Sequence, residues 1–174
     1  MQVPGTETTT KRWFVIAVML LFFLACLVPI AHAADVQNTG RIVQHTFKSD
    51  IEEVGDVPGH ILGVSINRGL VFFSRGEIVP TVSVNIIDLV NGKGVATGRR
   101  VVTYPDGSTS YVKYEGTLTP VDGGKRSVGE GTYECLDGTG RFAARKGTGT
   151  YKSERIGPVK TGADSYVDFT DNCR

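Results

Sequence analysis

Residues 129–151 read GEGTYECLDGTGRFAARKGTGTY, and this stretch decides the fold. Two runs rich in glycine, threonine and tyrosine, 129–135 and 147–153, flank the turn residues Asp137 to Gly140. Threonine and tyrosine favour extended backbone, and glycine adopts the positive φ values that tight turns need. The stretch therefore predicts two antiparallel strands joined by a short connection.

Short β-rich runs separated by turn signals continue through the rest of the domain. The predicted strands are 41–49, 63–67, 70–74, 81–89, 96–104, 111–118 and 165–170, and the separators include Pro58-Gly59, Asn91 to Gly94, Pro105 to Ser108 and Val121 to Gly124. Such separators form the turns of hairpins. Since no segment after residue 33 has a sustained 3.6-residue apolar period with helix caps, we predict an all-β domain of about eight antiparallel strands.

Glycines inside the strand patterns favour a closed barrel over a sandwich, because strongly coiled strands need kinks or close backbone approach. These glycines are Gly98, Gly116, Gly129, Gly131, Gly147 and Gly149. Alternation then predicts which side chains share a face. We expect Val82, Val84, Ile86, Val112, Tyr114 and Leu118 inside, and Thr81, Ser83, Asn85 and Glu115 outside.

The segments 129–133 and 138–151 resemble the signature hairpin of the allene oxide cyclase and dirigent barrel superfamily. In that superfamily a GTG-x-F turn, here Gly138 to Phe142, joins two strands of an eight-stranded antiparallel barrel. The segments 59–63, 70–73 and 106–108 also look like small exported bacterial proteins with such a barrel. The resemblance implies an isomerase that closes an epoxide in an apolar cavity, or a protein that steers phenoxy radical coupling. It carries over no active-site residue.

The first 33 residues have the parts of a secretory signal. Lys11 and Arg12 precede an apolar run from Trp13 to Ile30, and Ala31-His32-Ala33 supplies the small residues that a signal peptidase reads. We expect cleavage between Ala33 and Ala34, a flexible leader at 34–40 and a secreted or periplasmic barrel domain at 41–174. The alternative is an uncleaved membrane anchor, since about 18 apolar residues nearly cross a bilayer core.

Charge and cysteine content constrain the partners and the compartment. Without Lys11, Arg12 and Glu7, the 19 basic and 18 acidic residues become 17 of each, which argues against nucleic acid or a membrane surface as the partner. The sequence specifies no oligomeric state. Cys26 lies in the predicted signal, so Cys135 and Cys173 remain as an even pair and predict a disulfide, with two free thiols as the alternative.

Few residues are candidates for chemistry, and we predict neither a cofactor nor a metal site. The motif Gly138-x-Gly140-x-x-Ala143 lacks the strand and helix of a dinucleotide fold, and the histidines have no metal-ligand spacing. His45 is a candidate proton carrier if its face points inward, and Glu115 a candidate acid if it is buried. Phe72, Tyr104 and Tyr114 are predicted to line a cavity.

Three functions stay open at this point. The first is non-catalytic binding of a small apolar ligand or a partner protein, which needs only a cavity. The second is an intramolecular isomerase of the allene oxide cyclase type, which also needs a buried acid or a held water. The third is a structural or surface-interaction protein with a filled barrel. We expect binding rather than catalysis, because no acid is placed in the interior by alternation.

Overall fold

The computed structural model describes residues 37–157 and 162–174. Eight antiparallel strands form a closed barrel in which every strand pairs with its neighbours in chain order and β8 pairs with β1. The strands are β1 (Asn38–Glu53), β2 (His60–Phe73), β3 (Ile78–Val90), β4 (Lys93–Thr103), β5 (Thr109–Val121), β6 (Arg126–Leu136), β7 (Thr148–Ile156) and β8 (Asp164–Asp171). The all-β barrel prediction is confirmed.

The predicted signal, with its cleavage site between Ala33 and Ala34, lies outside the described residues. β1 begins at Asn38, so the last residues of the predicted leader belong to the barrel. Within the described ranges, the helices are single 3-10 turns at Asp122–Gly124 and Gly140–Phe142. None of them has the length and apolar character that crossing a bilayer requires.

The strand glycines give room to aromatic rings from neighbouring strands. A Cβ atom on Gly98 would lie 2.4 Å from the Tyr114 hydroxyl, and one on Gly149 would lie 2.3 Å from the Tyr133 ring. Tyr151 covers Gly116 and Gly131 in the same way. The glycines therefore serve the close approach that the sequence predicted, because a side chain at these positions would collide with a tyrosine.

The end of the barrel that holds the N-terminus of β1 is filled by a hydrophobic core. The buried residues Ile42, Val71, Phe73, Val79, Val102 and Tyr104 form it, with Phe142, Val167 and Phe169 packed against them. The Tyr104 ring lies 4.4 Å from the Phe142 ring, and Phe73 meets Phe169 edge to face at 5.7 Å. The predicted disulfide between Cys135 and Cys173 is present near this end and ties β6 to the residues after β8.

The inner and outer faces of β3 are the reverse of the prediction. Val84 and Ile86 point outward with 46% and 54% of their surface exposed, and Val82 is exposed beside them. Thr81 and Ser83 are buried and Asn85 is half-buried. The hydroxyl of Thr81 donates to the Val101 carbonyl at 2.7 Å. Thr81 and Asn85 find hydrogen-bond partners on the neighbouring strands, whereas the buried Ser83 hydroxyl has none among the described residues.

Candidate functional site

The interior of the barrel contains a cavity of about 170 Å³ whose lining is mainly apolar. Along β3, the inward residues run from apolar Val79 through polar Thr81, Ser83 and Asn85 to apolar Ile87 and Leu89. The adjacent strands add further polar side chains at the middle level. We call this set the polar belt: Gln44, Ser65, Asn67, Asn85 and Arg100. The cavity therefore has an apolar body with polar groups around its middle.

Arg100 is the charged member of the polar belt. It lies on β4 opposite Ser83 of β3 and Val112 of β5, and only 8% of its surface is exposed. Its Nη2 donates to Gln44 Oε1 at 2.8 Å, whereas its Nη1 is buried and has no hydrogen-bond partner. Burial lowers the pKa of the Arg100 guanidinium because the charged form loses water. The interior thus holds a cation that is only partly satisfied.

Both carboxylates that line the cavity are held by groups other than Arg100. Asp171 accepts hydrogen bonds from Asn38 Nδ2 at 2.9 Å, the Cys173 backbone N–H at 3.0 Å and the Tyr133 hydroxyl at 2.7 Å. Glu154 pairs with Arg126 at 2.5 Å and accepts from the Tyr166 hydroxyl at 2.8 Å. No ion pair within the described residues includes Arg100.

The tyrosines around Arg100 do not neutralise its charge. Burial raises the pKa of Tyr114, and it raises that of Tyr151 to about 12. Burial and the hydrogen bond to Asp171 raise the pKa of Tyr133. All three phenols are therefore uncharged at neutral pH. The Tyr114 hydroxyl donates to Asn85 Oδ1, and Asn85 Nδ2 donates to the carbonyl and hydroxyl of Ser65, each at 3.1 Å.

Two further arginines, Arg145 and Arg155, line the cavity. Arg145 lies 3.9 Å from Asp171, so it has a counter-ion, unlike Arg100. Arg155 on β7 donates to the Gly157 carbonyl at 2.9 Å and to the Ser127 hydroxyl at 2.7 Å. Its Nε is buried without a partner, and burial lowers its pKa. Asn67 Oδ1 in the polar belt is also buried and unpaired. Several residues of the lining therefore have a buried polar atom without a hydrogen-bond partner among the described residues.

The three residues that were predicted to line the cavity lie in three different places. Tyr114 lines it as expected. Tyr104 does not line the cavity. It is buried in the hydrophobic core that fills the end of the barrel at the N-terminus of β1. The prediction for Phe72 is wrong, because its side chain points outward with 39% exposure while Val71 and Phe73 point inward. Residues 70–73 are apolar at every position, so the hydrophobic pattern does not indicate which face of the strand points into the barrel.

The two candidate proton carriers lie on the outer surface. His45 is exposed and contacts Asp164 at 2.9 Å, and Val43 and Phe47 on the same face are exposed as well. The inward direction considered for His45 is therefore wrong. Glu115 is exposed on β5, on the side that alternation predicted.

Sequence reasoning missed Arg100, although a signal was present. Arg99 and Arg100 are consecutive in a strand, and consecutive strand residues point to opposite faces, so one of the two had to face the barrel interior.

Cys135, Asp171 and Cys173 bring potential metal ligands within 4.8 Å of one another. Both sulfur atoms of that cluster are in the disulfide and are unavailable as thiolate ligands.

Comparison with protein-family models, curated proteins and solved structures finds no match to this chain. The geometry of the cavity is therefore the basis for a functional assignment.

Proposed function

We propose that this protein binds a small, mainly apolar molecule inside its barrel and acts as a binding protein rather than an enzyme. The observation that carries the proposal is the cavity of about 170 Å³ with an apolar body and a polar belt. Ligand sites in proteins combine an apolar lining with a few polar groups in this way. An engineered apolar cavity of about 150 Å³ holds benzene, so a single ring or a short branched chain matches the available space.

Binding is favoured over isomerisation because of the state of the acidic groups. A cyclase of the allene oxide cyclase type needs an acid or a held water beside its substrate. His45 and Glu115 lie outside the barrel, and Asp171 and Glu154 are occupied by donors from the protein. The described lining thus supplies hydrogen-bond donors for a ligand more readily than a general acid or base.

Membership of the allene oxide cyclase and dirigent superfamily, and export from the cell, are parts of the same proposal. The closed barrel of eight antiparallel strands is the architecture that the sequence resemblance implies. The Cys135–Cys173 disulfide supports an oxidising compartment, because such bonds are rare in the cytosol.

The proposal is tested with three single-ring probes, toluene, benzamide and benzoate, titrated into the folded protein by calorimetry and protein-observed NMR. We expect at least one probe to bind and to shift signals of inward residues such as Ala96 and Tyr114. Ala96→Phe places a ring in the cavity and should abolish that binding. Val95→Phe adds the same ring on the outer face, where Val95 is 46% exposed, and should leave binding unchanged.

Two results would contradict the proposal. One is that none of the three probes binds and native mass spectrometry finds the purified protein without any bound compound. The other is that Ala96→Phe and Val95→Phe reduce binding equally. Either result would favour the surface-interaction alternative, in which the protein works through its outer surface.

A further inference from the structure

We infer that the ligand of the barrel carries a carboxylate and that Arg100 binds it. This inference rests on the proposed function and adds the chemical class of the ligand, a small apolar acid. It is drawn from the position of Arg100 in the cavity wall and from the groups that surround it.

The first step is that Arg100 lines the cavity and has a donor that no described residue uses. Its side chain lines the cavity, and its Nη1 is buried without a hydrogen-bond partner. The other terminal nitrogen is held at 2.8 Å by Gln44 Oε1, and Gln44 is in turn fixed because its Nε2 donates to the Ser165 hydroxyl at 3.1 Å. The guanidinium is therefore positioned by the protein while part of its donor set stays open.

The second step is that the charge of Arg100 lacks a counter-ion within the described residues. Asp171 is occupied by Asn38, Tyr133 and the Cys173 backbone, and Glu154 is occupied by Arg126 and Tyr166. A buried charge is ordinarily paired, because desolvating an isolated ion is strongly unfavourable. A ligand that brings a negative charge would complete the site, whereas a neutral ligand would leave the charge uncompensated.

The third step concerns the size and shape of the anion. A carboxylate is planar and matches the guanidinium geometry. Its remaining apolar body would occupy the parts of the cavity lined by residues such as Ile87, Leu89 and Leu118. A cavity of about 170 Å³ accommodates a carboxylate on a single ring or a short branched chain.

The test compares benzoate with benzamide, which have the same shape and differ in charge. We expect wild-type protein to bind benzoate at least about tenfold more tightly than benzamide, since a hydrogen bond to a charged group is stronger than a neutral one. Arg100→Gln should remove this preference and leave benzamide binding in place. Arg99→Gln changes the neighbouring residue, which points outward, and should keep the preference.

Failure of the inference is distinguishable from failure of the proposed function. If benzamide and benzoate bind equally to wild-type protein, the cavity is a binding site but the carboxylate assignment is wrong. If Arg155→Gln removes the preference and Arg100→Gln does not, the anion binds at the other end of the cavity and the assignment to Arg100 is overturned. If toluene, benzamide and benzoate all fail to bind and native mass spectrometry finds no bound compound, the proposed function itself is wrong.

The comparison in wild-type protein does not depend on any variant, so it remains decisive even if Arg100→Gln fails to fold. Circular dichroism of each variant checks folding, and Arg100→Lys provides a second variant that keeps the charge. We expect Arg100→Lys to retain part of the preference for benzoate. Loss of benzamide binding in Arg100→Gln, with its fold intact, would mean that Arg100 shapes the cavity rather than selecting the anion.

Discussion

At the scale of single residues, Arg100 is the side chain whose surroundings fit its chemistry least well. A buried charge without an opposite charge lowers stability by several kcal/mol, and the one hydrogen bond that Arg100 donates to Gln44 recovers only part of that. Groups that weaken the fold are commonly found where a protein binds or reacts. The ligand-free barrel is therefore expected to be less stable than its packing alone would allow.

Replacing Arg100 with methionine should raise the free energy of unfolding of the ligand-free protein by about 1–2 kcal/mol. The substitution removes the uncompensated charge, and this gain exceeds the loss of one hydrogen bond to Gln44. Urea denaturation monitored by circular dichroism measures the change. Arg99→Met, on the outer face, should alter stability by no more than about 0.5 kcal/mol. A marked loss of stability in Arg100→Met would indicate that the guanidinium is fully satisfied in solution.

At the scale of single elements, the sequence predicts where turns lie better than how long the strands are or which way they face, since the predicted strands 63–67 and 70–74 are a single strand, β2. Turn residues such as Asn91-Gly92 locate the hairpins because few other residues adopt the required φ, here +52° and +81°. Alternation defines two faces for each strand but does not say which one is internal. In β5, Tyr114 and Leu118 face inward as the apolar rule suggests, whereas β3 breaks that rule because its polar face joins the polar belt.

The same limit explains what was missed in the candidate site. Tyr114 was identified because it is large and lies on an apolar face. Arg100 was not, because a charged residue is assigned to solvent unless a partner is known, and its partner Gln44 is 56 residues away in the sequence. Arg100 on β4 and Gln44 on β1 are not on neighbouring strands, so their contact across the interior forms only when the sheet curls into a barrel.

Substitutions on the two faces of β3 should have opposite outcomes. Asn85→Leu removes hydrogen bonds to Ser65 and Tyr114, and we expect the free energy of unfolding to fall by about 1–3 kcal/mol because those partners lose their bonds inside the barrel. Val84→Thr lies on the exposed face and should change it by at most about 0.5 kcal/mol. Denaturant titration measures both. Equal effects of the two variants would argue against the observed direction of β3.

At the scale of the whole molecule, a disulfide and several hydrogen bonds attach the C-terminal part of the chain to β1 and β6. The disulfide joins residues 38 positions apart. On the outside, Arg41 of β1 forms two hydrogen bonds with Asp168 of β8, at 2.6 and 2.7 Å. Asn38 also donates to the Cys173 carbonyl at 3.2 Å. The start of β1 is thus attached to β8 and the residues after it, at the end of the barrel that the hydrophobic core fills.

Removing the disulfide should destabilise the barrel because the unfolded chain gains conformational entropy. For a separation of 38 residues, the loop-entropy model predicts about 4 kcal/mol at most, and we expect Cys135→Ser with Cys173→Ser to lower the free energy of unfolding by about 2–4 kcal/mol. Urea titration with and without a reducing agent measures this. The reducing agent should have no effect on the double variant. A double variant as stable as the wild type would contradict the expected stabilisation by the disulfide.

The pairing of β1 with β8 has a consequence for the growing polypeptide. This pairing joins residues as far apart as Arg41 and Asp168, 127 positions along the chain. Until the last strand has been synthesised, every nascent chain is an open sheet with two edges that can pair with other chains. Ring closure therefore requires the two ends of the chain to find each other, and a chain in which β8 has not yet paired with β1 presents open sheet edges to its surroundings.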